Sequence, residues 1–166
     1  MRLQGLPPLV SPATVLLVLG SFPGQASLAA QQYYAHPRNH FWKILDALWP
    51  GSPCAVGAGS YEFRSKWLLA RGLGLWDVYA SCEREGSLDT SIRNPQVNDF
   101  ARLRVLCPQL RALAHNGAES FRQARHAALP GLAVHRLPST SPANASWSFE
   151  RKLAAWRDVF EQHGLL

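Results

Sequence analysis

The run Thr14-Val15-Leu16-Leu17-Val18-Leu19 constrains this chain more than any other feature. It is apolar throughout, rich in branched residues and closed by Gly20. A strand with one wet face alternates apolar and polar side chains. An unbroken run of this length is instead a strand covered on both faces, as in a parallel sheet. The turn Gly20-Ser21-Phe22-Pro23-Gly24 follows at once. Leu75–Tyr79, Leu110–His115 and Leu132–Leu137 read as three further strands. Between them lie segments of helical spacing: Phe41–Trp49, Tyr61–Arg71, Asn98–Cys107, Ala118–Ala128 and the closing Phe149–His163. Met1–Pro12 reads as a Pro-rich lead-in, and Ser81–Asn94 as a long polar loop. Strands alternating with helices imply an α/β fold, a parallel sheet with helices on both faces. Residues 1–166 suit one domain, and a hydrophobic content of 47% with six Trp is ample for its core.

Ligands of such sheets bind beyond the carboxyl ends of the strands. The loops after Leu19, Tyr79, His115 and Leu137 are therefore expected to converge. The net charge of +6 is compatible with a nucleic-acid partner. Much of it is Arg, whose planar fork suits phosphate. Cys54, Cys82 and Cys107 are scattered, without the clustered spacing of a zinc or iron–sulfur site, so reduced structural thiols are expected and no metal. No run approaches the roughly 20 apolar residues of a membrane span, and the start has neither a basic region nor a cleavage site. A soluble cytoplasmic protein with no membrane partner is expected. The histidines form no HExxH, and there is no GxGxxG, GxxxxGK[ST] or GxSxG, which removes the usual metalloproteases, dinucleotide enzymes, nucleotide hydrolases and serine esterases.

Three strand-end segments carry residues suited to chemistry. The first runs from Gly20 through Tyr34-Ala35-His36-Pro37-Arg38-Asn39-His40-Phe41-Trp42. Its Gly and Pro residues make a tight turn whose N–H groups can face a ligand, Tyr34 offers a flat face, and Asn39 can hold a water. The plainer reading of Asn39 is the N-cap of the following helix. The second is Pro138-Ser139-Thr140-Ser141-Pro142-Ala143-Asn144-Ala145, small and polar, suited to phosphate contact or simply a turn before a helix. The third continues from Trp76-Asp77 to Arg84-Glu85-Gly86-Ser87-Leu88-Asp89, where Asp77 is either a catalytic acid or an ordinary strand-end residue. Asn116, before Gly117, is either a base reader or turn chemistry.

Taken together and in order, these motifs resemble the uracil-DNA glycosylase superfamily from Thr14 onward. The first motif differs from that of the mismatch-specific uracil/thymine glycosylases, which place Ile-Asn where Ser21-Phe22 stand here. The whole set is more similar to the hypoxanthine-DNA glycosylase (deoxyinosine glycosylase) branch. The resemblance implies a three-layer α/β/α sandwich around a four-stranded parallel sheet. It implies that Asn39 positions the attacking water and that Tyr34 stacks on a flipped base. It places Asn116, with Gly20, Ser21 and Phe22, at that base. The loop Ser139, Thr140, Ser141, Pro142, Ala143 and Asn144 would grip DNA, and His36, Arg38, Arg84 and Ser87 stand as further DNA contacts. No cofactor is implied, although some relatives carry an iron–sulfur cluster. The expected partner is double-stranded DNA with a damaged or mismatched base, bound by a monomer. Hypoxanthine is the expected base, with uracil, or a non-catalytic DNA-binding relative, as alternatives. No Lys in these motifs suggests a Schiff-base lyase step.

Overall fold

A computed structural model describes residues 1–55 and 59–166. The strand β2 (Leu16–Gly20) lies inside a four-stranded parallel sheet, flanked by β3 (Leu73–Asp77) and β6 (Ala112–Asn116), with β7 (Ala133–Leu137) beyond β6. Successive β2 side chains face opposite sides. Leu16 and Val18 enter a core with α2 (Phe41–Leu48), α3 (Tyr61–Ala70) and α7 (Phe149–Gln162). Leu17 and Leu19 enter a second core with Trp76, Phe100 and Leu103, the last on the short helix α4 (Leu103–Leu106). Every β2 residue is buried, as the apolar run predicts, and the three-layer sandwich stands. Full burial of one such Leu stabilises by about 1.5–3 kcal/mol.

The helix bounds follow their local chemistry. Ser60 caps α3 by accepting the Phe63 N–H, and Ser148 caps α7 by accepting the Arg151 N–H. α2 presents Phe41, Ile44, Leu45 and Leu48 to the core at helical spacing. A further short helix, α1 (Gln25–Ala30), follows the first turn.

Three expectations need correction. Met1–Pro12 is not a bare lead-in: β1 (Arg2–Gln4) is a strand, and Leu9 bridges Leu75 through two backbone hydrogen bonds of 2.8 and 2.9 Å. The polar stretch after Tyr79 is not one loop, because β4 (Tyr79–Glu83) pairs antiparallel with both β1 and β5 (Arg93–Val97). This second sheet is held by backbone bonds, and all of β5 is exposed, so no apolar pattern announces it. Its presence also ends β3 at Asp77 rather than Tyr79, since the chain changes sheets at Val78. Finally, Ala118–Ala128 is two short helices, α5 (Ala118–Phe121) and α6 (Ala124–Ala127), interrupted at Arg122–Gln123. Among the described residues no helix is long and apolar enough to cross a membrane, and no cluster of His, Cys, Asp and Glu could hold a metal. All three cysteines are buried and free.

Candidate active site

The carboxyl ends of β2, β3, β6 and β7 open into one cleft of about 1290 Å³. It is lined by Gly20, Ser21 and Phe22, by Tyr34, His36, Arg38 and Asn39, by Ser87, by Asn116, and by Ser139 through Asn144. The expected site residues therefore meet, with one exception. Arg84 is folded away from the cleft: its guanidinium lies 5.3 Å from the Phe22 ring centre and donates to the Pro23 carbonyl at 2.6 Å. It braces the first turn from behind.

Asn39 Oδ1 accepts the N–H of Phe41, the first residue of α2, at 2.9 Å; the cap position itself is His40, so the expected N-cap role of Asn39 is not the one observed. That bond holds the side chain in one place at the cleft wall. A carbonyl oxygen accepts twice, so a lone pair remains for a water. The turn before it is tight: the Asn39 N–H donates to the His36 carbonyl at 2.9 Å, and the Arg38 N–H to His36 Nδ1 at 3.1 Å. The His36 and Arg38 side chains are left at the exposed rim.

Tyr34 packs on Phe41, ring centres 4.4 Å apart and 32° between planes. Its φ of 55° is a left-handed conformation that an aromatic residue adopts only under constraint. The bend brings its hydroxyl inward beside Asn116, buried and without a well-formed hydrogen bond. Burial, and then the Asp77 carboxyl, push its pKa above the usual tyrosine range.

Asn116 is 8% exposed and clamps Thr140: Nδ2 donates to Thr140 Oγ1 at 2.9 Å, and Oδ1 accepts the Thr140 N–H at 3.0 Å. The side chain thus fastens the loop after β7 to the end of β6, with its remaining N–H available towards Tyr34. Gly117 permits the same approach. Its φ is 100°, and a Cβ there would lie 3.0 Å from Ser139 Cβ. The loop is also tied within itself. Ser139 and Ser141 hydroxyls accept the Ser141 and Ala143 N–H groups at 3.1 Å each, and Asn144 Nδ2 donates to the Ser139 carbonyl at 3.1 Å. Each hydroxyl keeps its own proton to donate outward. The Thr140 carbonyl accepts the His40 N–H at 2.9 Å, joining the loop to the Asn39 turn. Behind that joint, fully buried Lys152 places Nζ 3.2 Å from His40 Nδ1. Burial and then the Lys152 charge lower the His40 pKa.

The polar floor includes residues to which the sequence assigned no settled role. Asp77 ends β3, is 4% exposed, and its Oδ2 has no hydrogen-bond partner. Its pKa is pushed up to about 7, first by burial and then by the neighbouring Asp89 charge, against a lowering by Arg84. Asp89 lies on a 3₁₀ turn, Asp89–Ser91, where its Oδ1 accepts the Ser21 hydroxyl at 2.6 Å. Ser87 supports the entry of α1, its Oγ accepting the Gln25 N–H at 2.9 Å. Phe22 is a buried wall residue of the second core. Arg122 and Arg136 add cations to the cleft lining. No periodic pattern marks Asp77, Asp89 or Arg136, because each is set by where its strand or turn ends.

The sequence profile of the Uracil DNA glycosylase superfamily matches residues 7–160. A hypoxanthine DNA glycosylase of Methanosarcina barkeri is 33% identical over 162 residues, 98% of this chain and all of that one. A second, of Methanosarcina acetivorans, is 34% identical over 95% of this chain and 97% of its own length. A G/U mismatch-specific uracil DNA glycosylase of Schizosaccharomyces pombe is 29% identical over 61% of this chain and 29% of its own length. The solution NMR structure of a Methanosarcina acetivorans protein described as a uracil DNA glycosylase superposes with a TM-score of 0.82, at 33% identity and 98% coverage of both chains.

Proposed function

This chain belongs to the uracil DNA glycosylase superfamily, and from that premise we propose that it removes hypoxanthine from DNA, with Asn39 holding the attacking water. It is a DNA glycosylase, a hydrolase of N-glycosyl bonds. The observation that carries the assignment is convergence: Asn39, Tyr34, Asn116 and the Ser139–Asn144 loop, distant in sequence, line one cleft at the carboxyl end of the sheet.

The geometry suggests how the work is divided. A base stacked in a duplex is out of reach, so the target nucleotide is extruded at a cost of a few kcal/mol, least for a mispaired base. The rim cations Arg38, Arg122 and Arg136, with the free hydroxyl protons of Ser139 and Ser141, contact phosphates and hold the duplex as a monomer binds it. The extruded base lies against Tyr34. Asn39, already fixed by the Phe41 N–H, orients a water towards the sugar carbon. An amide cannot take up a proton as a carboxylate would. The reaction therefore depends on how well the departing base carries negative charge, to which N–H groups of the Gly20–Phe22 turn contribute.

Base release from duplexes carrying deoxyinosine or deoxyuridine against each opposite base, or a G:T mismatch, tests this reading. Preferred release of hypoxanthine is expected. The Schizosaccharomyces pombe relative supports uracil as a second reading, and faster release of uracil would move the chain to it. Binding of all duplexes without release from any would overturn catalysis.

A further inference from the structure

Two buried polar side chains, each with an atom short of a partner, meet above Gly20. Asp77 Oδ2 has no hydrogen-bond partner, and the Tyr34 hydroxyl, with the Asn116 amide beside it, makes no well-formed hydrogen bond. The Asp77 carboxyl and the Tyr34 side chain come together over Gly20, where a Cβ would stand 2.4 Å from the other carboxyl oxygen, Oδ1, and 3.2 Å from the Tyr34 hydroxyl. Only a bare Cα leaves room for both. An unsatisfied buried polar group costs about 1–3 kcal/mol, so two such side chains meeting in a cleft mark a place where a ligand supplies partners. Both residues line the cleft, and Tyr34 is the surface against which the extruded base lies.

We propose that Asp77 hydrogen-bonds the flipped purine, alongside the Tyr34 hydroxyl, and gives it a proton as the glycosidic bond breaks. The proposal rests on the glycosylase reading and adds what that reading lacks. Asn39 can orient water but cannot neutralise the departing base. When the C1′–N9 bond breaks, its electron pair stays on the purine. The Asp77 proton passes to a ring nitrogen or to the carbonyl oxygen of that anion, and a carboxylate remains. Water adds to C1′ and loses its proton to solvent, and solvent returns one to Asp77. The products are hypoxanthine and an abasic sugar, with no other reactant.

The groups around Asp77 keep a proton available. Asp89, held by the Ser21 hydroxyl and influenced by Glu119 of α5, opposes a second negative charge. Arg84, from the loop after β4, favours it, but its nearest hydrogen-bonding partner is the Pro23 carbonyl. Tyr33 and Tyr34 face it from the loop before α2, and Asn116 of β6 lies beside the Tyr34 hydroxyl. The carboxyl is consequently neutral below about pH 7 and a proton donor there.

Single-turnover release of hypoxanthine between pH 5.5 and 9 tests this, using wild type and Asp77→Asn. Binding to a duplex with non-cleavable 2′-fluorodeoxyinosine is measured in parallel. Wild type is expected to slow by about tenfold per pH unit above about 7. Asp77→Asn is expected to be about 10²- to 10⁴-fold slower at pH 6 and flat with pH, while still binding the 2′-fluoro duplex. In wild type, the carbon-13 resonance of the Asp77 carboxyl is expected to shift on that binding, a readout that needs no variant. Asp77→Asn within twofold of wild type and with the same pH profile would overturn the assignment, as would an unmoved carboxyl resonance. A wild-type rate that rises through pH 7 and loses its rise in Asp77→Asn would make Asp77 a base and equally overturn it. Wild type inert on every duplex would instead sink the glycosylase reading, and this assignment with it.

Discussion

Replacing Asp77 with Asn should stabilise the DNA-free protein, and by an amount that depends on pH. In the folded chain the carboxyl titrates at about 7, against its usual 3.8. Above pH 7 it is ionised in both states, and the folded state bears the full penalty of a buried charge. At 1.36 kcal/mol per pH unit, that penalty is at most about 4 kcal/mol. Below about pH 3 the group is neutral in both states and the penalty vanishes. Between those limits the folded chain holds the extra proton, so stability falls as pH rises. Asp77→Asn has no such proton. Its stability relative to wild type should therefore grow by about 4 kcal/mol between pH 4 and pH 8, or roughly 8–16 °C in Tm for a chain this long. Urea unfolding of both proteins across that range measures the difference, in which the other titrating groups cancel. Two stability curves that stay parallel from pH 4 to pH 8 would refute the burial argument for Asp77. A gain in stability at the expense of activity is expected where a site keeps an unsatisfied buried group.

Asn116→Ala should lose about 1–3 kcal/mol, because it strands the Thr140 N–H, and should lower single-turnover rate more than Asn144→Ala does; denaturation with parallel kinetics checks both. Gly117→Ala meets both a φ of 100° and Ser139, so a lower Tm and weaker binding of abasic-site duplex are expected from calorimetry and titration. Arg122→Ala should weaken DNA binding for every sequence and reduce the slope of log K against log salt by about 1, seen in salt-dependent binding. His115 is lowered to about 4 by burial, so it stays neutral as the unfolded chain charges near 6.5; stability should fall from pH 6.5 towards pH 4, and its NMR ring resonances should not titrate above pH 5.

The parallel sheet was legible because burial on two faces leaves a mark in every residue of Leu16–Leu19. The helices α2, α3 and α7 were legible through apolar spacing and Ser caps. The antiparallel sheet was not, since Arg93-Asn94-Pro95-Gln96-Val97 buries nothing and is held by backbone pairing and by polar contacts with Ser81 and Glu83, which leave no apolar period. In the site, the motif order brought Asn39, Tyr34 and the Ser139–Asn144 loop to attention, and they do share a cleft. Two details lay beyond sequence. Arg84 turns to Phe22 because a planar cation finds both an aromatic face and a carbonyl behind the first turn. Asn116 spends two of its bonds on Thr140, a pairing across 24 residues that only the fold creates. Asp77 stood open between acid and structural residue, and its missing partner is visible only once Gly20 and Tyr34 are beside it.

The central claim is that Asn39 and its cleft release hypoxanthine from DNA. Its most direct test is a duplex with one labelled deoxyinosine, treated with wild type or Asn39→Ala and then with alkali to break abasic sites. The account predicts strand cleavage by wild type and a loss of about 10²-fold or more in Asn39→Ala, with binding of the duplex retained. Cleavage by Asn39→Ala at the wild-type rate, or none by wild type on a duplex it binds, would contradict it.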